Sequence, residues 1–308
     1  MQSVDVDTRN ANVKIEKYIL TLYPRLSYST LQKAFRKRDI KVNGTRVGRD
    51  YTVIPGDRLE IYIVDDLLSG HDSGVIKKAE DFSVVYEDEN ILIVNKAQGV
   101  PVHPDKEQTR GTLIDLVREY LIGKGGVPST SANFQPALCH RLDRNTGGLV
   151  IIAKNHTSHD IILQKLESRE IKKTYQCLVK GRMDRREATL KAYLWKDADK
   201  SRVFVGEQRT TGSVEIITGY KVLEYDPSAD VSRLEVELIT GRTHQIRAHL
   251  AFIGHPVIGD GKYGTNAVNR NYGRKQQALW ACRIKFAFSD KNPLDYLNGK
   301  EIKIEPEF

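Results

Sequence analysis

Cysteine is scarce in this chain of 308 residues. Cys139, Cys177 and Cys282 are far apart, odd in number and form no CxxC pair, which argues against a disulfide framework and a cysteine-based zinc site. Histidine offers no substitute. His244 and His249 lie five residues apart, not at the spacing of HExxH, so no metal is expected. Long apolar runs are also missing. No stretch approaches the roughly 18 apolar residues of a membrane-crossing helix. The opening segment MQSVDVDTRN carries acids and no apolar run, unlike a secretory signal. A cytoplasmic protein without membrane attachment is expected. Glycine-rich phosphate cradles of the GxxxxGK[ST] or GxGxxG kind are absent, so no nucleotide cofactor has an obvious seat. There is no repeat at a solenoid period.

Acids are the minority among the charges: 40 Asp and Glu against 48 Lys and Arg, for a formal net charge of +8. That balance favours a polyanionic partner, with a solubility role as the bland alternative. Hydrophobic content of 40% is that of an ordinary globular chain, and the length suits one large domain plus a small one.

The small domain is expected over residues 1–64. Residues 13–20, VKIEKYIL, and 28–37, YSTLQKAFRK, have helical apolar spacing, separated by Pro24, and Ser27 or Ser29 is placed to cap the second. Asn43-Gly44 between alternating residues is a hairpin signal, and RLEIYIV at 58–64 reads as a strand after the turn at Pro55-Gly56. Between residues 25 and 49 stand eight basic residues (among them Arg36, Lys37, Arg38, Lys41 and Arg46) against one acid, Asp39. A solvated face usually mixes its signs. The pattern of basic helix, NG hairpin and PGD turn resembles the α-L RNA-binding motif, and clustered Lys and Arg gain affinity for RNA by displacing counterions. Residues 65–79 lack periodicity and read as a linker.

From residue 80 to 308 strand signals dominate: SVVYEDENILIVNKA as a hairpin, then GLVIIAK, TYQCLVKG, RLEVELIT and CRIKFAF, with HTSHDIILQKLESRE as a helix. The fold class expected is α+β, a mixed, mainly antiparallel sheet with inserted helices.

Four segments of this domain belong together: NKAQGVPVHP (95–104), HRLDRNTGGLVIIAK (140–154), KKTYQCLVKG (172–181) and LITGRTHQIRAHLAFIGHPVIGDGKYG (238–264). In order and spacing they resemble the RluA family of pseudouridine synthases, over roughly residues 80–290. With the small basic domain, the large-subunit ribosomal RNA members are the nearest type. The resemblance implies isomerisation of uridine in RNA, ribosomal RNA first and transfer RNA second, by a monomer. The reaction breaks N1–C1′, turns the base and joins C5 to C1′. No atoms enter or leave, so no cofactor is required.

Breaking a glycosidic bond calls for a carboxylate at the sugar, as nucleophile at C1′ or as base for a ribose proton. The resemblance places Asp143 in that role, Arg247 as its basic partner and Tyr175 as the aromatic that stacks on the base and removes the C5 proton. Arg141 matches the arginine that fills the gap left by the flipped uridine. His140, Thr146, Arg242, His244, Gln245 and Ile246 fall in the matched motifs as substrate contacts, and Lys96 and His103 in a supporting loop. Seen alone, Asp143 between Arg141 and Arg144 reads as a surface ion-pair cluster, and Tyr175 as core.

Three positions depart from the family pattern: Gly147 for serine, Ala97 for proline and Trp280 for histidine. Two other functions compete. A non-catalytic RNA-binding or ribosome-assembly factor has little use for Asp143, Tyr175 and Arg247 together. A glycoside or nucleoside hydrolase would need a second carboxylate as acid, and none is spaced for it.

Overall fold

Asn43 and Gly44 both take positive φ, 52° and 75°, the backbone a tight two-residue hairpin turn demands. They join strands β3 (Ile40–Val42) and β4 (Thr45–Arg46) in the computed structural model of the chain. The structure describes all residues except 1, 8–12, 24–27, 63–80, 105–107, 109, 125–133, 198–201, 266–268, 271 and 275. It divides into a small unit within residues 1–77 and a large one built from residues 78–105 and 111–308. The linker read at 65–79, Pro24, Ser27 and Arg25 lie outside the described residues, as do the side chains of Ser29 and Lys33.

In the small unit, β1 (Gln2–Asp5), β6 (Arg58–Ile61), β3 and β4 form one sheet in that order, and β2 (Val13–Lys14) pairs with β5 (Thr52–Val53). Helices α1 (Ile15–Leu22) and α2 (Tyr28–Lys37) supply Ile15, Ile19 and Leu31 to a core shared with Ile40, Leu59 and Ile61, all fully buried. The first helix begins at Ile15 and not at Val13, because Val13 and Lys14 pair with β5, a partner the local pattern does not reveal. Asp57 locks the Pro55-Gly56 turn by accepting from Asn43 Nδ2 (2.8 Å), Tyr51 Oη (3.0 Å) and the Ile54 N–H (3.0 Å). Burial raises the cost of its charge, yet these donors hold its carboxyl below the usual value.

The large unit is one eleven-stranded sheet. Its strands are β7 (Phe82–Glu87), β8 (Ile91–Lys96), β9 (Ala137–Leu138), β10 (Gly147–Ala153), β11 (Ile171–Lys180), β12 (Glu187–Lys196), β13 (Val203–Gly206), β14 (Val214–Asp226), β15 (Val231–Leu238), β16 (Leu279–Phe286) and β17 (Glu301–Lys303). They run in the order β13-β12-β14-β15-β11-β16-β10-β8-β7, with β17 beside β16 and β9 beside β10. Helices α3 (Leu113–Gly123), α4 (His156–Glu167) and α5 (Gln245–Phe252) are inserted between strands. No described helix is long and apolar enough to cross a membrane.

Every described pairing in the large sheet is antiparallel except β10 with β16. The expected mixed, mainly antiparallel sheet with inserted helices is what forms. β10 lies inside it, buried along its whole length. Its Val150 and Ile152 enter one hydrophobic core, and Leu149, Ile151 and Ala153 enter another, which explains the unbroken apolar run in its sequence. Where β10 meets β16 the backbones are very close. A side chain at Gly148 (φ 113°) would put its first carbon 2.3 Å from the Ala281 carbonyl oxygen. At Gly147 that carbon would sit 2.4 Å from the Trp280 ring. Two of the departures from the family pattern are therefore one: the indole occupies the space a serine would need.

Candidate active site

The parallel contact of β10 and β16 carries the site. Just before β10 the chain makes a turn, closed by the Thr146 N–H donating to the Asp143 carbonyl at 3.0 Å. Thr146 Oγ1 is buried and accepts from Gln277 Nε2 at 2.6 Å, so the hydroxyl anchors the turn. The loop after β8 braces it from the other side. Lys96, fully buried, donates to the carbonyls of Ala97 (2.9 Å), Val100 (2.8 Å) and Arg144 (2.9 Å). Gln98 Nε2 reaches the carbonyls of Asn145 (2.8 Å) and Gln277 (2.6 Å). These bonds fasten the loop in which Ala97 replaces proline. Burial lowers the Lys96 ammonium to about 7, against the opposing pull of Asp143. His103 bonds only its neighbour, Pro104 O, at 2.9 Å.

Asp143, Tyr175 and Arg247 come from a turn, a strand and a helix. Arg247, on α5, sends Nη1 to Asp143 Oδ2 at 2.8 Å. Its other edge makes a fork to Asp260: Nε to Oδ2 at 2.7 Å and Nη2 to Oδ1 at 2.9 Å. Asp260 is fully buried and also accepts the N–H groups of Lys262 and Tyr263. Burial pushes its carboxyl up, but Arg247 and those N–H donors outweigh burial and hold it below the usual value. The same two carboxylates keep the Arg247 guanidinium charged against its own burial. The Tyr263 ring lies 5.2 Å from the guanidinium carbon. Arg247 is thus held on two edges and one face, with one nitrogen aimed at Asp143.

Tyr175 is buried on β11 at the irregularity where β16 carries one extra residue, Cys282, opposite the Thr174–Tyr175 step. Burial raises its phenol well above the ordinary range, and the charge of Asp143 raises it further. The hydroxyl is neutral at physiological pH. His244 heads α5 in the left-handed conformation (φ 55°). Its Nδ1 is 2.9 Å from Tyr263 Oη and its Nε2 3.9 Å from Asp143 Oδ2. Burial lowers it to about 4, so it faces the carboxylate as a neutral ring.

All ten residues expected at the site, including Arg141, which is exposed, line one cavity of about 280 Å³. They do different work there. Gln245 spends its whole carboxamide on its own loop and on β14: Oε1 accepts from Thr240 Oγ1 (3.0 Å) and Arg242 N (3.1 Å), and Nε2 donates to Ile217 O and Thr218 Oγ1 (both 3.0 Å). Ile246 is core. These two, with Thr146, shape the wall, while Arg141 and Arg242 present exposed charge. His140 accepts the Ile151 N–H at Nε2 (3.2 Å). Sequence reasoning missed Asp260, Tyr263 and Gln277 as supports and Lys173 as a lining residue. Asp260 and Tyr263 stand inside the recognised GDGKYG stretch, yet nothing local says that they grip Arg247.

Residues 90–252 match the family model described as RNA pseudouridylate synthase. The chain is 32% identical to an uncharacterised RNA pseudouridine synthase of Bacillus subtilis, over 85% of this chain and 81% of that protein. It is 28% identical to the ribosomal large subunit pseudouridine synthase D of Haemophilus influenzae, over 92% and 86% of the two chains. Among solved structures, human RNA pseudouridylate synthase domain containing 1 shares the fold, with a TM-score of 0.56, 24% identity and coverage of 74% of this chain and 91% of that one.

Proposed function

Since the chain belongs to the RNA pseudouridylate synthase family, whose members isomerise uridine in RNA, we propose that it acts on large-subunit ribosomal RNA and that Asp143 performs the chemistry at the sugar. The observation that carries the assignment is the 2.8 Å bond from Arg247 to Asp143 inside the cavity that Tyr175 also lines.

Asp143 acts at the ribose, as nucleophile at C1′ or as base for a ribose proton, and N1–C1′ breaks. Arg247 supplies the carboxylate's counter-charge and aims it while a uracil ring excludes water around it. The freed base turns on the Tyr175 ring, C5 bonds to C1′, and the C5 proton leaves. With its phenol raised by burial, Tyr175 accepts that proton only if its own passes on, and the nearby carboxylate of Asp143 is the group to take it. Arg141 fills the space vacated by the flipped nucleotide. No step calls for a cofactor.

The ribosomal target is supported by the name of the Haemophilus influenzae relative, a large-subunit synthase. The small unit supports an RNA partner on its own terms, and we read it as an α-L type RNA-binding domain within residues 1–64. Arg36, Lys37, Arg38 and Arg46 are exposed. Lys41 and Arg46 are paired directly across β3 and β4, a like-charge pairing that an isolated hairpin disfavours and an RNA phosphate relieves. We read the protein as a cytoplasmic monomer. A transfer RNA target, or a binder that lost catalysis, would give different results in one assay. Incubation with large-subunit ribosomal RNA tritiated at uridine C5 should release tritium without freeing the base. Release from transfer RNA alone would relocate the target, and no release from either would remove the catalytic reading.

A further inference from the structure

The cavity that holds Asp143 shares a wall with a second one of about 730 Å³. His140, Lys173, Leu238, Gly241 and Arg242 line both. Farther in, the second cavity is faced by Arg169 and Lys172, and by Glu167 and Glu237.

At the shared wall two hydrogen-bond donors make no well-formed bond among the described residues. His140 accepts at Nε2, so in its neutral form the hydrogen sits on Nδ1. That nitrogen is buried and makes no well-formed hydrogen bond among the described residues, the Arg141 backbone beside it being an acceptor it only approaches. Lys173 is the second. Its side chain keeps some solvent contact, yet its ammonium end is enclosed enough for burial to lower it to about 8. No carboxylate or hydrogen-bond acceptor among the described residues pairs with it. The two groups share the wall between the cavities, and the Lys173 charge pushes the already low His140 further down.

An enclosed cation without a counter-charge is a cost that a fold carries where a ligand supplies the missing anion. RNA offers the charged phosphodiester oxygen here, besides neutral acceptors such as the uracil carbonyl and the ribose oxygens. Only the first cancels a positive charge. The position agrees: if the first cavity takes the flipped uridine, a strand that leaves it past the shared wall puts the linking phosphate between the two cavities. We propose that Lys173, with His140, holds the phosphodiester joining the target uridine to its neighbour, and that the second cavity receives the neighbouring nucleotide. The proposal rests on reading the first cavity as the uridine site. It makes Lys173 a positioning and specificity residue, whose partner is the backbone and not the reacting base.

The test compares wild type, Lys173→Met and Lys173→Arg for binding to a large-subunit ribosomal RNA transcript across a range of salt. Lys173→Met should weaken binding several-fold at low salt and make the dependence of log affinity on log salt shallower by about 0.7, one counterion fewer on a single strand. Lys173→Arg should restore the wild-type slope. The melting temperature of Lys173→Met should equal or exceed wild type, because an unpaired enclosed charge has been removed. A structural lysine would lower it. An unchanged slope overturns the proposal, and weaker binding at unchanged slope assigns the ammonium to an uncharged acceptor such as the uracil carbonyl. C5 tritium release by wild type on the same transcript reads the underlying function separately: its absence removes the uridine site, whereas its presence with an unchanged slope removes only the role of Lys173.

Discussion

Asp260→Asn tests whether Asp143, the carboxylate proposed to react, is aimed by a fully buried residue that does not line its cavity. The substitution keeps the shape of the side chain and removes its charge. Arg247 then loses the charged fork of 2.7 and 2.9 Å, keeping at most one neutral bond to the carboxamide oxygen beside its bond to Asp143, whose side chain is 25% exposed against 0% for Asp260. One carboxamide cannot repeat the pattern, since both oxygens of the fork meet the guanidinium and an NH₂ group must replace one of them. Removing one partner of a buried ion pair costs about 3–5 kcal/mol. For a unit of this size that is a fall of roughly 6–20 °C in melting temperature. Turnover should fall by about tenfold to a hundredfold, because displacement of Asp143 by an ångström costs that much. Acid adds a signature. The Asp260 carboxyl is lower in the folded chain than in the unfolded one, so its contribution is present above the ordinary carboxylate pKa and is lost as pH falls through the lowered folded value. Thermal melts from pH 7 down to 2 should show wild type and variant far apart at neutral pH and converging at the acid end. A variant that melts within a degree or two of wild type at pH 7, with unimpaired C5 tritium release, would refute the reasoning.

Asp143→Asn should abolish tritium release while leaving melting and RNA affinity nearly unchanged, since the side chain is partly exposed; turnover above a few percent of wild type would remove it from the chemistry. Tyr175→Phe should bind RNA normally and release C5 tritium far more slowly, and Tyr175→Ala should lose both; wild-type release by the Phe variant would leave stacking as the only role. Gly147→Ser should destabilise by about 1–3 kcal/mol through the clash with Trp280, and Trp280→His should relieve most of it; additive effects in urea unfolding of the double variant would show that the positions are independent. Removing residues 1–77 should leave a folded large unit, which has its own cores, that binds RNA more weakly and with a shallower salt slope; equal slopes would rule out the small unit as an anchor.

Periodicity and turn chemistry are local properties, and what depends on them was legible in the chain. The β7–β8 hairpin, the Asn43-Gly44 turn, the helix from His156 and the buried run of β10 follow from neighbours in sequence. So did the membership of the cavity, because the four motifs carry nearly all its lining residues. Other features depend on distant partners. Val13 and Lys14 look helical until β5 takes them into a strand. Strands β12 to β14 passed unmarked, since partners found elsewhere in the sheet complete their pattern, whereas the helix Leu113–Gly123 went unread despite its local capping box of Thr112 and Asp115. Gly147 and Trp280 read as separate losses from the family pattern, yet the parallel pairing of β10 and β16 stacks one on the other. Gln245 reads as a substrate contact until its four hydrogen bonds are counted, and Asp260 as a turn residue until Arg247 closes on it. The sequence by itself determined which segments gather at the cavity and which of their side chains line it. Tertiary structure alone decided how each is held and which donors remain unpaired, because an electrostatic partner is set by distance in space, and Asp143 and Arg247 meet at 2.8 Å across 104 residues of chain.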